Sequence, residues 1–247
     1  MAPRLTFSNE QMVVFDDFLP QEVVEEMLQY ANDAEYMEAH NDNYGDVWRR
    51  GDASAMRAAT TLFRPDAKYK EAERPRYPTG TTIDRFIDAL HEFVAGHPEQ
   101  LGEIATPQDA IGVTPWIYRR GAGLSLHRDR GCAGAFIYYV HREWNFHWGG
   151  HLLVLDPRTQ LDLAPETLEQ SYLWLAEEER NRITSEPGFA TCVLAKSNRM
   201  VFLDRRVLHM VTRVDADAGD HARISFGGYF LRPETAAVSA GEESMTR

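Results

Sequence analysis

Short strand-like segments separated by glycine and asparagine turns make up most of the chain from about residue 110 onward, and no other feature constrains the fold as strongly. Many short strands of this kind are typical of a small β-barrel or a jelly roll. Because successive side chains of a strand face opposite sides of the sheet, residues two apart share a face. The predicted strands are Ile111–Tyr118, Leu124–Asp129, Ala135–Val140, His151–Leu155, Cys192–Ala195, Met200–Leu203, His209–Val214 and Ile224–Leu231.

The first 110 residues contain two segments with helical periodicity. In residues 21–33 apolar residues recur at the spacing of one helix face, and Pro20 precedes them as a helix-starting residue. Residues 82–96 repeat this pattern. The polar residues 38–56 and 157–190 predict a long loop and an insertion, each long enough to serve as a lid. Two further strands are expected at Met12–Phe15 and Ala58–Phe63.

Charge and cysteine usage limit the kinds of partner. The net charge is −12, from 26 basic and 38 acidic residues, which argues against nucleic acid because its phosphates require basic side chains. A neutral or cationic small-molecule substrate is compatible with this charge. Cys132 and Cys192 form neither a disulfide framework nor a paired metal motif. No segment is long and apolar enough to span a membrane, and the N-terminus lacks a signal-peptide core, so we expect a cytoplasmic protein with no membrane partner.

The tripeptide His127-Arg128-Asp129 is the most informative local motif. On a strand His127 and Asp129 face the same way, whereas Arg128 faces the opposite way. His209, on a distant strand, would complete a set of two histidines and one carboxylate. Such a set leaves coordination positions open and suits non-haem Fe(II). Arg223 would add a permanently charged fork for the distal carboxylate of a keto acid.

His-Arg-Asp also opens the catalytic loop of protein kinases. That pattern requires an asparagine five residues after the aspartate, where this chain has Gly134. It also requires an upstream glycine-rich loop followed by a strand with a lysine, and neither is visible in the sequence. The kinase interpretation is therefore excluded.

Several further motifs follow one another between residues 111 and 232. They are Tyr118-x-x-Gly121, His127-x-Asp129, Tyr138-Tyr139, Trp144 with Trp148-Gly149-Gly150, His209-x-Val211 and Arg223-x-Ser225. In this order they resemble the prolyl-hydroxylase class of 2-oxoglutarate- and Fe(II)-dependent dioxygenases, with a weaker similarity over residues 12–33. The resemblance implies a mainly β fold with supporting α-helices, a double-stranded β-helix (jelly roll, cupin-like). We expect one domain over residues 1–247, with residues 1–110 as helical support and residues 111–232 as the catalytic core, into which residues 157–190 are inserted.

The resemblance also implies the metal ligands and catalytic residues, which are His127, Asp129 and His209. Arg223 would bind the C5 carboxylate of 2-oxoglutarate, and Ser225, on the same strand face, would add a hydrogen bond. Many prolyl hydroxylases have lysine in place of this arginine. The spacing between the last histidine and the arginine is also longer here than is usual in the family.

Aromatic residues are expected around this centre. By the resemblance, Tyr139 touches the same carboxylate of 2-oxoglutarate and Tyr118 lies beside the metal pocket. Strand alternation places Thr114 and Trp116 on the face of Tyr118, and Tyr229 on the face of the co-substrate arginine. These three residues are therefore the candidates to line the substrate pocket.

The activity implied by the resemblance is hydroxylation of an unactivated C–H bond with O₂ and 2-oxoglutarate, releasing succinate and CO₂; ascorbate is a further candidate, as a reductant. Asp129 argues against the related halogenases, in which glycine or alanine leaves room for chloride. A free amino acid or related metabolite is the favoured substrate, because no peptide-binding domain or secretory signal is visible. A peptidyl-prolyl hydroxylase, an oxygen sensor and a non-catalytic jelly-roll binding module stay as alternatives. The oligomeric state, a homodimer included, stays open.

Overall fold

The computed structural model describes residues 2–39, 55–64, 74–129, 131–158, 185 and 188–232. Its helices are α1 (Gln21–Asp33), α2 (Thr82–Gly96) and α3 (Pro98–Leu101), and short 3₁₀ helices lie at Phe146–Trp148 and Ala216–Ala218. Its strands are β1 (Arg4–Ser8), β2 (Met12–Asp16), β3 (Met37–Glu38), β4 (Met56–Arg57), β5 (Thr61–Phe63), β6 (Ala110–Tyr118), β7 (Leu124–Arg128), β8 (Gly134–Tyr139), β9 (Leu152–Leu155), β10 (Ala190–Val193), β11 (Arg199–Asp204), β12 (Leu208–Val211) and β13 (Arg223–Leu231).

These strands form two antiparallel sheets. In the larger, called the major sheet, the order is β1-β2-β11-β8-β13-β6-β4-β3, and β5 also pairs with β6. In the smaller, called the minor sheet, the order is β10-β9-β12-β7. Many neighbouring strands come from distant parts of the chain, as with β2 beside β11. The architecture is therefore mainly β, with the wound strand order of a jelly roll.

The helices cover one face of the major sheet. Phe136 on β8 and Phe226 and Phe230 on β13 are buried there against α1 and α2. The ring of Phe86 on α2 lies 5.2 Å from that of Tyr138 and 5.8 Å from that of Phe226, centroid to centroid. Large aromatic side chains bury much apolar surface, and each Å² removed from water stabilises the fold by about 25 cal/mol. This aromatic layer holds the helices on the sheet and leaves the opposite face for other contacts.

The opposite face of the major sheet looks toward the minor sheet, across a cavity. Strand alternation along β13 brings four residues to this face: Arg223, Ser225, Gly227 and Tyr229. The register places Ser225 opposite Trp116 of β6 on one side and opposite Tyr139 of β8 on the other. Three adjacent strands thus present their side chains to the same cavity.

Both long helices are confirmed with the predicted bounds. Seven of the eight predicted core strands are confirmed with ends shifted by at most two residues, whereas β12 ends at Val211, three residues earlier than predicted. The pairing of β12 with β7 shifts register between His209 and Val211, which interrupts the ladder there.

Other elements differ from the sequence-based expectation. The first strand, β1, was not predicted, because all five of its residues are exposed and carry no pattern of burial. The strand expected at Ala58–Phe63 is shorter, at Thr61–Phe63. Residues 40–54 of the predicted loop, and all but one residue of 159–187 in the predicted insertion, lie outside the described residues. None of the described helices is both long and apolar enough to cross a membrane.

Candidate metal and co-substrate site

His127 and His209 lie opposite each other in the minor sheet. They are paired residues of the neighbouring strands β7 and β12, and residues paired on one face of a sheet hold their side chains close together. Their ring centroids are 4.2 Å apart, and both residues are only 5% exposed. Strand pairing therefore brings two imidazoles to one point of the cavity.

Asp129 lies one residue beyond the end of β7 and turns its carboxylate toward the two imidazoles. Its Oδ1 is 3.8 Å from Nε2 of His127, and its Oδ2 is 3.5 Å from Nε2 of His209. One potential ligand atom from each of the three side chains lies within 4.8 Å of the other two. Two imidazoles and one carboxylate gathered in this way suit a non-haem Fe(II) ion that keeps open coordination positions.

A backbone carbonyl fixes the ring of His209. Its Nδ1 lies 3.1 Å from the carbonyl oxygen of Val207, to which an Nδ1–H group donates. A proton held on Nδ1 leaves the lone pair of Nε2 directed at the metal position. The local backbone thus selects the tautomer that a metal ligand requires.

Arg223, the first residue of β13, is a buried cation beside this centre. The residue is 1% exposed, and its Nη1 donates a hydrogen bond to Oγ of Ser225 at 3.2 Å. Within the described ranges no carboxylate forms an ion pair with it, and its Nε has no hydrogen-bond partner. Because a buried charge without a counter-charge is unfavourable, this position indicates a binding site for an anion.

Two tyrosine rings flank the guanidinium group. The Cζ atom of Arg223 lies 4.7 Å from the ring centroid of Tyr118 and 4.8 Å from that of Tyr139, in cation–π contact. Burial raises the pKa of Tyr118 to about 12, against the opposing effect of the Arg223 charge. Its hydroxyl is therefore protonated at neutral pH and able to donate. The hydroxyl of Tyr139 is buried without a hydrogen-bond partner among the described residues.

These residues fit Fe(II) together with a keto acid. The two imidazoles and the carboxylate supply the donor set for the metal. A carboxylate held by Arg223 would neutralise the buried guanidinium and could accept two parallel hydrogen bonds from it. It would also give the orphaned hydroxyl of Tyr139 an acceptor.

A cavity of about 90 Å³ connects the metal position with Arg223. Nine of the ten residues expected at the site line it: His127, Asp129, His209, Arg223, Ser225, Tyr118, Thr114, Trp116 and Tyr229. The tenth, Tyr139, is fully buried and is not part of the lining. Its ring contacts the guanidinium group of Arg223, which does line the cavity.

The three substrate-side candidates have different surroundings. The hydroxyl of Thr114 shares a 2.7 Å hydrogen bond with that of Thr60. Trp116 lies close over Gly227, where an added Cβ would come 3.1 Å from the indole Nε1, so glycine makes room for the indole. Tyr229 is 40% exposed, and its hydroxyl lies 3.4 Å from Oδ1 of Asp129.

Sequence reasoning missed the apolar part of the cavity lining. These residues include Leu124, Ala135, Ile137, Leu203 and Val211. Strand alternation could have found some of them, since Ile137 lies two residues before Tyr139 on β8 and Leu203 is paired with Ala135. The signal was present in the periodicity, but it could be used only once the neighbouring strands were known.

Two residues near Arg223 were also missed. His141 follows β8 and is 2% exposed, with its ring 5.9 Å from that of Tyr139. Trp144 and the aliphatic part of Arg223 both lie against Gly150, where an added Cβ would come 3.2 Å from the indole and 3.0 Å from Cδ of Arg223. The Trp and Gly-Gly motifs therefore help to enclose the arginine.

Comparisons with known proteins agree with this architecture. No protein-family model and no curated protein matches the sequence. Among solved structures, a Pseudomonas putida prolyl-4-hydroxylase is 16% identical, with a TM-score of 0.53 over 90% of this chain and 92% of that one. A Trichoplax adhaerens prolyl hydroxylase in complex with a peptide fragment of the hypoxia inducible factor oxygen degradation domain is 16% identical, with a TM-score of 0.57 over 94% and 88%.

A third solved structure is HygX from Streptomyces hygroscopicus with nickel, 2-oxoglutarate and hygromycin B bound. It is 11% identical, with a TM-score of 0.52 over 90% of this chain and 84% of that one. At such low identities these similarities establish the fold. The chain has the double-stranded β-helix fold of the 2-oxoglutarate- and Fe(II)-dependent oxygenases.

Proposed function

We propose that the protein is an Fe(II)- and 2-oxoglutarate-dependent dioxygenase that hydroxylates an unactivated C–H bond of a small molecule. The observation that carries this proposal is the placement of Arg223 in the same cavity as the His127, Asp129 and His209 side chains. Arg223 is buried and forms no ion pair with any carboxylate of the described residues. A metal site alone would suit many functions. A metal site beside a buried cation suits a co-substrate that has both a chelating end and a distal carboxylate.

Each residue then has a defined role. His127, Asp129 and His209 would hold Fe(II), and the guanidinium group of Arg223 would bind the C5 carboxylate of 2-oxoglutarate. Ser225 accepts a hydrogen bond from Arg223 and so orients the guanidinium group. When bound, Fe(II) and 2-oxoglutarate together supply the oxidising chemistry, in which O₂ provides one oxygen atom to succinate and one to the product while CO₂ is released.

The aromatic residues would complete the co-substrate site. The hydroxyls of Tyr118 and Tyr139 are candidates to donate to the bound co-substrate, while their rings hold the guanidinium group between them. Much of the remaining lining is apolar, and exclusion of water by a bound co-substrate would strengthen the electrostatic interactions inside the cavity.

The lining supports an uncharged reacting group on the substrate. Apart from the metal-site residues and Arg223, the described lining is neutral and includes Thr114, Trp116 and Tyr229. A small molecule that presents an aliphatic or aromatic portion fits such a lining. A prolyl residue in a peptide is the second candidate, because the Trichoplax adhaerens neighbour was solved with a peptide fragment.

The cofactor chemistry is tested by anaerobic titration of the purified apoprotein with Fe(II) and then 2-oxoglutarate, following the visible metal-to-ligand charge-transfer band. The variants are His209→Ala and Arg223→Gln, with Arg85→Gln on the exposed side of α2 as a matched control. We expect the band in the wild type and in the control, and none in His209→Ala. Arg223→Gln should need about 10- to 100-fold more 2-oxoglutarate, since it loses a charge-assisted contact.

A wild-type protein that binds Fe(II) but gives no band would contradict the co-substrate role and favour a non-catalytic binding module. Once the band is established, release of succinate is measured with free amino acids and with proline-containing peptides. Stimulation by peptides alone would replace the small-molecule proposal with the peptidyl one.

A further inference from the structure

Tyr229 makes a contact that its expected role as a substrate residue does not explain. Its hydroxyl lies 3.4 Å from Oδ1 of Asp129 and is placed to donate a hydrogen bond. Tyr229 belongs to β13 of the major sheet, whereas Asp129 follows β7 of the minor sheet. This hydrogen bond therefore joins the two sheets at the metal position.

Asp129 needs such a partner more than the two histidines do. His127 and His209 lie within paired strands, and the ring of His209 is also held by the carbonyl oxygen of Val207. Asp129 lies past the last residue of β7, so no strand pairing orients it. A carboxylate has two equivalent oxygens, and a ligand bound through one of them is best oriented when the other accepts a hydrogen bond.

We propose that Tyr229 is a positioning residue for Asp129, an inference that rests on the proposed metal site. Its hydroxyl holds Oδ1 and leaves Oδ2, which is 3.5 Å from Nε2 of His209, for the metal. At 3.4 Å the contact is longer than a typical hydroxyl-to-oxygen hydrogen bond, and a shift of about 0.5 Å would bring it to the usual length. Tyr229, a residue of the major sheet, would thereby increase the affinity for metal of a site whose ligands come from the minor sheet.

The test is the affinity for Ni²⁺ alone, measured by calorimetric titration of the metal-free protein. Tyr229→Phe removes the hydroxyl and keeps the ring, and should weaken Ni²⁺ binding about 10- to 100-fold. Tyr36→Phe is the matched control, because the Tyr36 hydroxyl donates to the carbonyl oxygen of Ala31, outside the cavity lining. The melting temperature of the metal-free protein should fall by no more than a few degrees in Tyr229→Phe, since the hydrogen bond that it loses between the two sheets is long and exposed.

A double-mutant cycle separates positioning from general effects. In an Asp129→Ala background, Tyr229→Phe should have no further effect on Ni²⁺ affinity, because the hydroxyl acts only through the carboxylate. The visible spectrum of bound Co²⁺ should also change in Tyr229→Phe and not in Tyr36→Phe, since it reports the coordination geometry.

The outcomes distinguish this inference from the proposed function. If the wild type binds no Ni²⁺, both the metal site and the role of Tyr229 are wrong. If the wild type and Tyr229→Phe bind Ni²⁺ equally well, the metal site stands and the positioning role is overturned. The positioning role would also be overturned if Tyr229→Phe weakened Ni²⁺ binding by the same factor in the Asp129→Ala background as in the wild type.

Discussion

His141 is a buried titratable residue whose protonation is opposed by its surroundings. Its burial, followed by the positive charge of Arg223, lowers its pKa from 6.5 to about 4. Neither ring nitrogen has a hydrogen-bond partner of good geometry within the described ranges. The side chain is therefore neutral at neutral pH, so it does not repel the positive charge of Arg223.

This pKa shift predicts a pH-dependent stability. Between pH 6.5 and about 4 the unfolded chain binds a proton on His141 that the folded protein does not bind. The free energy of unfolding should therefore be greatest above pH 6.5 and fall as the pH decreases, by up to about 3 kcal/mol. His141→Gln should flatten this part of the profile, measured by urea unfolding at several pH values.

The control for this prediction is His147→Gln, since His147 is exposed in the 3₁₀ helix after β8. It should retain the wild-type slope. An unchanged slope in His141→Gln would mean that other groups cause the loss of stability in acid.

At the level of elements, β13 decides most of the site. One face carries Arg223 and Tyr229, and the other face packs Phe226 and Phe230 under the helices. The strand lies between β6 and β8 and is paired with both along most of its length. A change that shifts β13 should therefore affect the core and the site together.

Gly228 is the position of β13 that is least tolerant of a side chain. An added Cβ would come 2.1 Å from the carbonyl oxygen of Gly112 and 2.4 Å from the ring of Phe136. Because the first of these atoms is backbone, the strands would have to separate. We expect Gly228→Ala to lower the free energy of unfolding by about 3 kcal/mol or more, measured by urea denaturation.

Gly96→Ala is the matched control for this substitution. Gly96 ends α2, and an added Cβ there meets no atom within 4 Å. Alanine should be neutral or stabilising by up to about 1 kcal/mol at this helical position. Equal stability of Gly228→Ala and the wild type would show that β6 and β13 are less closely packed than the structure has them.

In the whole molecule, each of the two sheets supplies a different part of the candidate site. The minor sheet supplies the metal-site residues on and just after β7 and on β12, while the major sheet supplies Arg223 and its surrounding tyrosines. A metal and a co-substrate bound together would link the two sheets. Ligand binding should therefore be coupled to the stability of the fold.

This coupling predicts stepwise thermal stabilisation. Ni²⁺ at 100 times its dissociation constant should stabilise the protein by about 2.7 kcal/mol, which raises the melting temperature. Anaerobic addition of 2-oxoglutarate should raise it further only when the metal is present, since chelation requires the metal. The measurement is differential scanning calorimetry.

In His209→Ala, neither Ni²⁺ nor the further addition of 2-oxoglutarate should raise the melting temperature. Mg²⁺ prefers oxygen ligands and should therefore raise the melting temperature of the wild type very little. A 2-oxoglutarate effect that persists without any metal would indicate a simple anion site at Arg223 and contradict the proposed chelation.

Local sequence pattern was sufficient to predict the long helices and most of the core strands. The helices of residues 21–33 and 82–96 follow from apolar spacing, and the core strands follow from short segments between turns. The order of motifs was enough to name His127, Asp129, His209 and Arg223, because each has a side chain whose chemistry is specific.

Which of these residues lie close together depends on how the strands pair in the folded protein. Three observations depend on the register of strands far apart in the chain. His127 is paired with His209, Tyr229 lies against Asp129, and Arg223 is buried without a counter-charge from the part of the chain that the structure describes. Local periodicity assigns a side chain to a face of its own strand, but it does not specify the neighbouring strand or the depth of burial. The pKa of His141 and the crowding at Gly228 are set by those neighbours, and for this physical reason neither could be predicted from the sequence.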